Sequence, residues 1–294
     1  MTDKNNLPLD GDLESKPTPS SAAKKTKSPN WFARHWIDIL VIVAVLGGLC
    51  WLGYTIYKKF HFAKKFRIFY DYFIVNEGYE RLLEGMKNTA IIAITGLLIG
   101  IVIGTVIAVI RVMRPTNRVV RYGHRITSIY VAFFRGTPIV VQLLVGYFLI
   151  LPLLKVQMDP VAACIVIFGL NSGAYISEIM RGGINSVDPG QLEAARAVGM
   201  PYSTSMLKIV VPQAIKNILP TLGNEFIALV KETAVVGYVG AIDITVAFQY
   251  QGSNSYEYMI PYLVMALLYI VIVAIIAGGV KLMERMLAKS ERRQ

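Results

Sequence analysis

Residues 188–212 read DPGQLEAARAVGMPYSTSMLKIVVP, and this stretch predicts two helices joined by a bend. Asp188 is a favourable N-cap, Pro189 has a backbone angle already set for a first helical turn, and Gln191 stands where a capping-box partner is expected. Gly199 suits the left-handed turn after a last helical residue, and the proline two positions later can open a second helix but cannot continue the first. The short first helix carries little side-chain bulk, so a partner surface can close around it.

The composition is that of an integral membrane protein. The chain is 54% hydrophobic and only 17% of its 294 residues are charged, whereas about 25% are charged in soluble domains. Several runs without Asp, Glu, Lys or Arg approach the roughly 20 residues that span a bilayer: residues 39–57, 88–110, 136–154, 160–177 and 258–280. Another run, residues 217–240, is apolar but contains Glu225, Lys231 and Glu232. The sequence therefore predicts an all-α, polytopic membrane protein with six transmembrane helices.

Positive charge predicts the orientation, because short cytoplasmic loops collect Lys and Arg. Residues 111–135 contain six arginines and no acid, and basic residues also follow the last span. Both segments are expected in the cytoplasm, together with the N-terminus and residues 188–212. Residues 241–257, with two acids and no base, are expected outside. The basic residues within 58–67 oppose this pattern, so the orientation of the first span stays open.

Residues 193–212 resemble the EAA loop of ATP-binding-cassette importer permeases. That loop reads EAA, three residues, G, nine residues, I, one residue, LP, and the chain departs from it only at Val211, where Leu is usual. Further stretches narrow the resemblance to the permeases for polar amino acids: residues 134–138 with Gln142, 174–184 (AYISEIMRGGI), 212–214 and 219–232. The resemblance extends over residues 85–285, which is most of the chain.

The resemblance implies the permease subunit of an ATP-driven importer in a bacterial cell membrane, forming the translocation path for polar amino acids. The implied partners are a dimer of ATPase subunits, a second permease subunit of the same or a homologous kind, an extracytoplasmic solute-binding protein and membrane lipid. ATP and Mg are expected to be used by the partner ATPase, and no cofactor is expected on this chain. The expected ATPase contact comprises Gln191, Glu193, Ala194, Ala195, Arg196, Gly199 and Met200.

The chain is expected to divide around a permease core at residues 88–285, with the EAA loop near residues 181–216. Residues 1–36 are expected to be a disordered cytoplasmic tail, because their first thirty residues are rich in Ser, Pro, Thr and Lys. Such permeases commonly have five core helices, so residues 37–58 are an extra N-terminal transmembrane helix. Residues 59–87 follow as an extracytoplasmic connector, and residues 286–294 form a second cytoplasmic tail.

Motifs for enzymatic chemistry and for metal binding are missing from the sequence. No G-x-x-x-x-G-K-[ST] occurs, so the chain cannot hold ATP phosphates in a Walker loop of its own. Cys50 and Cys164 lie in different spans and the three histidines sit in basic flanks, which argues against a disulfide framework and a metal site. The net charge of +11 is mainly loop charge that sets topology, so no nucleic acid partner is expected. An ion-coupled secondary transporter is the alternative function, although no convincing internal repeat supports it.

Polar residues inside the spans are the candidates for the translocation path, because ionisable groups at membrane depth are costly and usually face a cavity or a partner. Four of them, at spacings of one, three and three residues, fall along one stripe of the fourth span. The candidates are Gln142, Asn171, Ser172, Tyr175, Glu178, Asn224 and Glu225. Ile167, in the same span, is expected to face lipid.

The charged groups among and near these residues have two interpretations. A zwitterionic amino acid needs acceptors for its ammonium group, which Glu178, Glu225 and Glu232 offer, and donors for its carboxylate, which Arg135, Lys231 and Gln142 offer. The alternative is that these groups pair with one another and only stabilise the fold, as Glu178 and Arg181 can at a spacing of three. The glycines at 96, 100 and 104 are interpreted as a packing feature that lets helices approach closely in lipid.

Overall fold

The computed structural model describes residues 31–59, 61–113 and 116–291, and every structural statement below refers to these residues. The predicted N-terminal tail up to residue 30 lies outside them. All regular structure that they form is helical, as predicted. The α-helices are α1 (Trp31–Lys59), α2 (Phe62–Tyr70), α3 (Gly78–Val112), α4 (Arg118–Gly136), α5 (Ile139–Val145), α6 (Leu151–Leu153), α7 (Pro160–Asn185), α8 (Pro189–Ala197), α9 (Tyr202–Ser205), α10 (Val211–Glu232), α11 (Ile244–Ser255) and α12 (Met259–Glu291). Wider π turns occupy Asp71–Val75, Gly146–Ile150 and Met206–Val210, and a 3-10 segment occupies Thr233–Val239.

The chain divides into two units, residues 1–60 and residues 61–294. In the first unit, α1 is one continuous helix whose apolar part, Trp36–Thr55, is long enough to cross a bilayer. The helix begins at Trp31, so the last six residues assigned to the tail are helical.

Within the second unit, α3, α7 and α12 are long and apolar enough to span a membrane. A further candidate is the bent pair formed by α4 and α5–α6, in which the chain direction changes by 107° between the two arms. Thr137 and Pro138 are extended between the arms, because the residue before a proline avoids helical angles. The predicted third span is thus the second arm of a bent pair. α10 contains Glu225, Lys231 and Glu232 and is less apolar than the candidate spans. The count of six spans therefore stays a prediction.

Helices α3 and α7 run parallel and form the tightest packing in the unit. A Cβ atom at Gly104 would lie 2.8 Å from Cγ2 of Ile176, and a Cβ at Gly100 would lie 2.8 Å from Cβ of Ser172. In the opposite direction, Gly173 of α7 leaves room for Ile103 of α3. The prediction that the glycine repeat serves close helix packing is therefore confirmed.

The central core joins α3, α5, α7 and α10 through wholly buried side chains, Ile92, Leu143, Phe168 and Leu229. Ile167 belongs to this core and is only 8% exposed. The expectation that it faces lipid is wrong, because the π turn after α5 packs on it: a Cβ at Gly146 would lie 2.7 Å from Ile167 Cδ1. A periodicity argument cannot anticipate this turn.

Smaller clusters close the two ends of the unit. One cluster joins α2, α11 and the start of α12 through Phe69, Ile244, Phe248 and Ile260. The other lies after the end of α7 and joins its C-terminal part to α10 through Val187, Val210, Ala214 and Ile218. This second cluster is the support on which the predicted EAA loop rests.

Candidate functional site

The helix-bend geometry predicted for the EAA loop is present in α8. The Asp188 carboxylate accepts a hydrogen bond from the backbone N–H of Gly190 at 2.8 Å, and Pro189 opens the helix. At the other end, Gly199 has a φ of +88°, its N–H donates to the carbonyl of Arg196, and the Met200 N–H donates to the carbonyl of Ala195. This pair of bonds is a Schellman motif, which stops the helix and sets the direction of the chain leaving it.

The inner face of α8 is fixed to the rest of the loop. Ala195 is buried, and Leu192 packs against the cluster of Val210 and Ala214 below it. Ala195 was predicted to contact the ATPase, and the structure places its side chain against the protein's own core. Met200, from the same predicted set, is half-buried.

The outer face of α8 is open and has small or polar side chains. The other members of the predicted contact set are exposed, namely Gln191, Glu193, Ala194, Arg196 and Gly199. Beside them Val198 is 79% exposed. An apolar side chain held in solvent next to small residues and a pair of opposite charges is typical of a docking surface.

A cleft adjoins this surface. Its volume is about 400 Å³ and it lies between α8, α9 and the connection from α3 to α4. The lining residues are Met113, Thr116, Val120, Arg196, Tyr202 and Ser203. The start of α4 is fixed there by Asn117, whose side chain accepts from the Val120 N–H at 2.8 Å. The cleft extends the exposed face of α8 into a concave surface of mixed polarity.

Two of the path candidates are buried in a hydrogen-bond network. The Gln142 amide nitrogen donates to the carbonyls of Phe134 and Thr137 at 2.8 and 2.9 Å, and its oxygen accepts from the Asn171 amide at 2.9 Å. Both amides are nearly inaccessible. The network ties the bend between α4 and α5 to α7, which is a structural role.

A more open polar surface begins beside the next candidate on α7, Ser172. Ser172 is buried, and its hydroxyl donates to Oε1 of Glu225 at 3.3 Å across the gap between α7 and α10. The Arg135 guanidinium lies 5.4 Å from the centre of the Tyr175 ring. Glu225 and Tyr175 are half-buried, and Arg135 and Asn224 are exposed. We call Arg135, Tyr175, Asn224 and Glu225 the polar face.

The last candidate, Glu178, is paired on both sides. Its carboxylate accepts from Arg111 at the end of α3 and from Arg181, whose Nη2 lies 2.7 Å away. Since α3 and α7 are parallel, this cluster locks their ends together on the side of the membrane that also holds α8. Pairing with Arg181 was one of the two interpretations of the sequence, and the contribution of Arg111 from another helix had no sequence signal.

Asp243 is a buried polar residue that the sequence analysis did not single out. It caps α11, accepting from the Val246 N–H at 2.9 Å, and its other carboxylate oxygen has no hydrogen-bond partner within the described part of the chain. Burial raises the pKa of this carboxyl. Its backbone carbonyl lies where a Cβ at Gly85 would be, so the turn before α11 sits directly on α3. An Asp at a helix start was the signal that could have found it.

The described residues hold no group of three or more His, Cys, Asp or Glu side chains that could bind a metal ion. The contacts described at the candidate site are hydrogen bonds and ion pairs, on an exposed loop helix and on a polar face between spans.

Comparison with known proteins shows that α8 and the polar face both lie within one family match. Residues 96–289 match the family described as the inner membrane component of binding-protein-dependent transport systems. The chain is 39% identical over 210 residues to the arginine transport system permease protein ArtQ of Bacillus subtilis (strain 168), covering 71% of this chain and 94% of that protein. It is 37% identical over 204 residues to the putative glutamine transport system permease protein GlnP of Rickettsia prowazekii (strain Madrid E), covering 69% and 91%.

Among solved structures, the chain resembles a crystal structure of an amino acid ABC transporter with histidines. The TM-score is 0.66 at 35% identity, and the match covers 72% of this chain and 96% of that one. The family match begins within α3, so α1 and α2 lie outside it. The match of the family to most of the chain, and of relatives over nearly their whole length, shows that this multi-pass membrane protein belongs to the family of inner membrane components of binding-protein-dependent transport systems.

Proposed function

We propose that the chain is the permease subunit of an ATP-driven importer of a polar amino acid, and that a partner ATPase drives it through α8. The observation that carries the proposal is the geometry of α8. The helix is capped at both ends and fixed on its inner face, while Glu193, Ala194 and Arg196 are presented to solvent. A rigid, exposed helix of small residues suits the transmission of force from a partner.

The partner ATPase supplies ATP and Mg chemistry in this proposal, and the permease supplies contacts. The contact surface comprises the exposed members of the EAA set and the adjoining cleft, where Arg196 lies on both. Leu192 fixes α8 on the loop cluster from below, and Ala195 is buried on the same face of the helix. The relatives named above are permease proteins of transport systems, which supports this division of labour.

The polar face is the proposed lining of the translocation path. Glu225 offers a carboxylate for a substrate ammonium group, and Arg135 offers a guanidinium for its carboxylate. Tyr175, whose ring lies beside Arg135, adds a hydroxyl group, and Asn224 is the exposed chain neighbour of Glu225 on α10. Relatives named for arginine and glutamine transport support a polar amino acid as the substrate class.

A second permease subunit is expected to complete the path, because the polar face is open on one side. The apolar groove at the bend between α4 and α5 offers a contact surface of the right character: its volume is about 380 Å³, and its lining is apolar apart from Thr137 and Gln142. An extracytoplasmic solute-binding protein delivers the substrate. Membrane lipid surrounds the exposed apolar faces of α4 and α12.

Uptake by reconstituted vesicles tests the proposal. The chain is reconstituted with and without the ATPase and binding protein that co-purify with it, and uptake of radiolabelled amino acids is followed after ATP is supplied. Uptake is expected only when ATP, ATPase and binding protein are all present. Uptake by the chain alone, driven by an ion gradient, would overturn the proposal.

Thiol accessibility tests the assignment of the polar face. In a chain without native cysteines, Tyr175→Cys is expected to react with a water-soluble maleimide and to be protected by bound substrate. The matched control is Asn171→Cys, one turn earlier on α7 and buried in the Gln142 network, which should not react. Equal reactivity at both positions would remove the polar face from the path and leave the transport proposal intact.

A further inference from the structure

The amphipathic helix α2 and the π turn that follows it, Asp71–Val75, have one face fixed on the protein. Phe69 is buried and its ring stacks on that of Phe73, with centroids 5.0 Å apart. Phe73 in turn stacks on Phe248 of α11 at 6.5 Å. The segment is therefore an ordered part of the fold, although the family match does not include it.

The opposite side of the same segment is divided into an apolar and a polar stripe. Phe66, Tyr70 and Ile74 follow one another at intervals of four residues, and they are 50%, 50% and 44% exposed. Lys64 and Arg67 lie beside this stripe and are also exposed. Three large apolar side chains in a row are unfavourable on a surface that faces water. This stripe is therefore expected to contact lipid or another apolar surface.

The position of α2 along the membrane spans is fixed by an ion pair. Lys65 Nζ lies 2.9 Å from Oε2 of Glu257, and Oε1 of Glu257 accepts from the N–H of Met259 at 3.2 Å. Met259 is the first residue of the α12 span. Because Lys65 is tied to the residue that precedes this span, α2 lies at the depth where α12 enters the bilayer.

The surroundings also have the character of a membrane boundary. Tyr256, Tyr258 and Tyr262 are exposed around the start of α12, and Tyr and Trp are enriched where spans meet the headgroups. Basic side chains beside an apolar stripe, on a helix that does not itself span, are the pattern of helices that lie in the interface. Asp71 is an exposed acid on the same segment, but the two basic side chains of the polar stripe outnumber it, and their positive charge complements acidic phospholipid.

We propose that α2 and residues 71–75 form an interfacial helix that anchors this end of the protein in the membrane surface. Phe66, Tyr70 and Ile74 enter the boundary between headgroups and acyl chains. Lys64 and Arg67 bind the phosphate groups of acidic phospholipids. The anchor holds α11, through the stack on Phe248, against the membrane plane.

Site-directed spin labelling of the full-length chain in lipid vesicles tests this proposal. In a Cys50→Ser, Cys164→Ala background, nitroxides are attached after Phe66→Cys or Tyr70→Cys, with Arg67→Cys as the matched control from the polar stripe. The ratio of collisions with oxygen to collisions with a water-soluble nickel chelate is expected to be about threefold higher at positions 66 and 70 than at 67. Equal ratios at all three positions would overturn the proposal.

A nitroxide at 66 that is shielded from both reagents would also overturn the proposal, because another protein segment or a second copy would then cover the stripe. A second measurement avoids cysteine replacement. Phe66→Trp in the otherwise natural chain should gain fluorescence that brominated lipids quench about twofold more than that of Arg67→Trp. Equal quenching of the two variants counts against the anchor.

The lipid headgroup is tested by changing vesicle composition. Adding phosphatidylglycerol to phosphatidylcholine vesicles should increase the quenching of Phe66→Trp, and free inorganic phosphate should not reproduce the increase. The increase should disappear when Lys64→Gln and Arg67→Gln are combined with Phe66→Trp. A response to phosphatidylglycerol that survives both substitutions would refute the role of these basic residues.

Discussion

The α3–α7 pair and the α8 loop differ in what holds them in place. The pair depends on residues about seventy positions apart, such as Gly104 and Ile176, which meet only when both helices are in position. The loop depends on its own neighbours, since Asp188 and Gly199 define α8 through bonds to residues within five positions. The pair therefore supports the whole unit, whereas α8 is a locally defined helix whose outer face is open to a partner.

Gly104→Val should cause the largest loss of stability, because it disturbs the contact between α3 and α7. The new Cβ would lie 2.8 Å from Ile176 Cγ2 and 2.9 Å from the Ser177 backbone nitrogen, and backbone cannot move aside as a flexible side chain can. We expect the free energy of unfolding to fall by about 3 kcal/mol. Denaturant titration of the purified chain in detergent, followed by circular dichroism, measures the loss.

The matched control for this substitution is Gly278→Val in α12, where no atom lies within 4 Å of the added Cβ. We expect this variant to stay within about 0.5 kcal/mol of the natural chain. A similar loss in both variants would show that valine in a spanning helix, rather than the α3–α7 contact, is responsible.

Gln142→Ala tests the network that ties the bend of α4 and α5 to α7. The substitution leaves the buried Asn171 amide without its acceptor, which should reduce the free energy of unfolding by about 2 kcal/mol. Asn217→Ala removes an exposed hydrogen bond to Ser186 and serves as the control, with little expected change. Equal stability of the Gln142 variant and the natural chain would mean that water replaces the lost partner.

Of the three test substitutions, Gly199→Val should have the smallest effect on stability and a large effect on transport. A β-branched residue at a φ of +88° is strained by about 1 kcal/mol, and the strain is confined to the exposed bend after α8. We expect normal membrane insertion and loss of ATP-driven uptake. Gly199→Asn, which tolerates the left-handed region, should keep most of the uptake. Full uptake by the valine variant would contradict a role for the bend in coupling.

Much of both regions could be predicted from sequence, for different reasons. The two ends of α8 were predictable because Asp188, Pro189 and Gly199 act on their immediate neighbours in the chain, whereas the burial of Ala195 was not predicted. The glycine repeat of α3 indicated close packing in the same way, through spacing alone. The repeat alone could not identify Ile176 as the residue in contact with Gly104, since that contact depends on how two helices distant in sequence meet.

The individual roles of the polar residues on α7 could not be predicted from the sequence. Four candidates on one stripe of α7 looked equivalent, but their neighbours give them different roles: Asn171 is bound by Gln142, Ser172 meets Glu225, and Glu178 is held by Arg111. Each partner comes from another helix. The burial of Ile167 under a π turn is a similar case, because a helical period of 3.6 residues does not predict a π turn.

Cross-linking from α8 tests whether the ATPase docks on this helix. A photo-reactive amino acid is placed at Ala194, on the exposed face of α8, and in parallel at Tyr256, which is fully exposed at the start of α12 and predicted to lie across the membrane. We expect the ATPase of an assembled, transporting complex to be captured from position 194 and not from position 256. An ATPase captured from 256, or a transporting complex with no capture at 194, would contradict docking on α8.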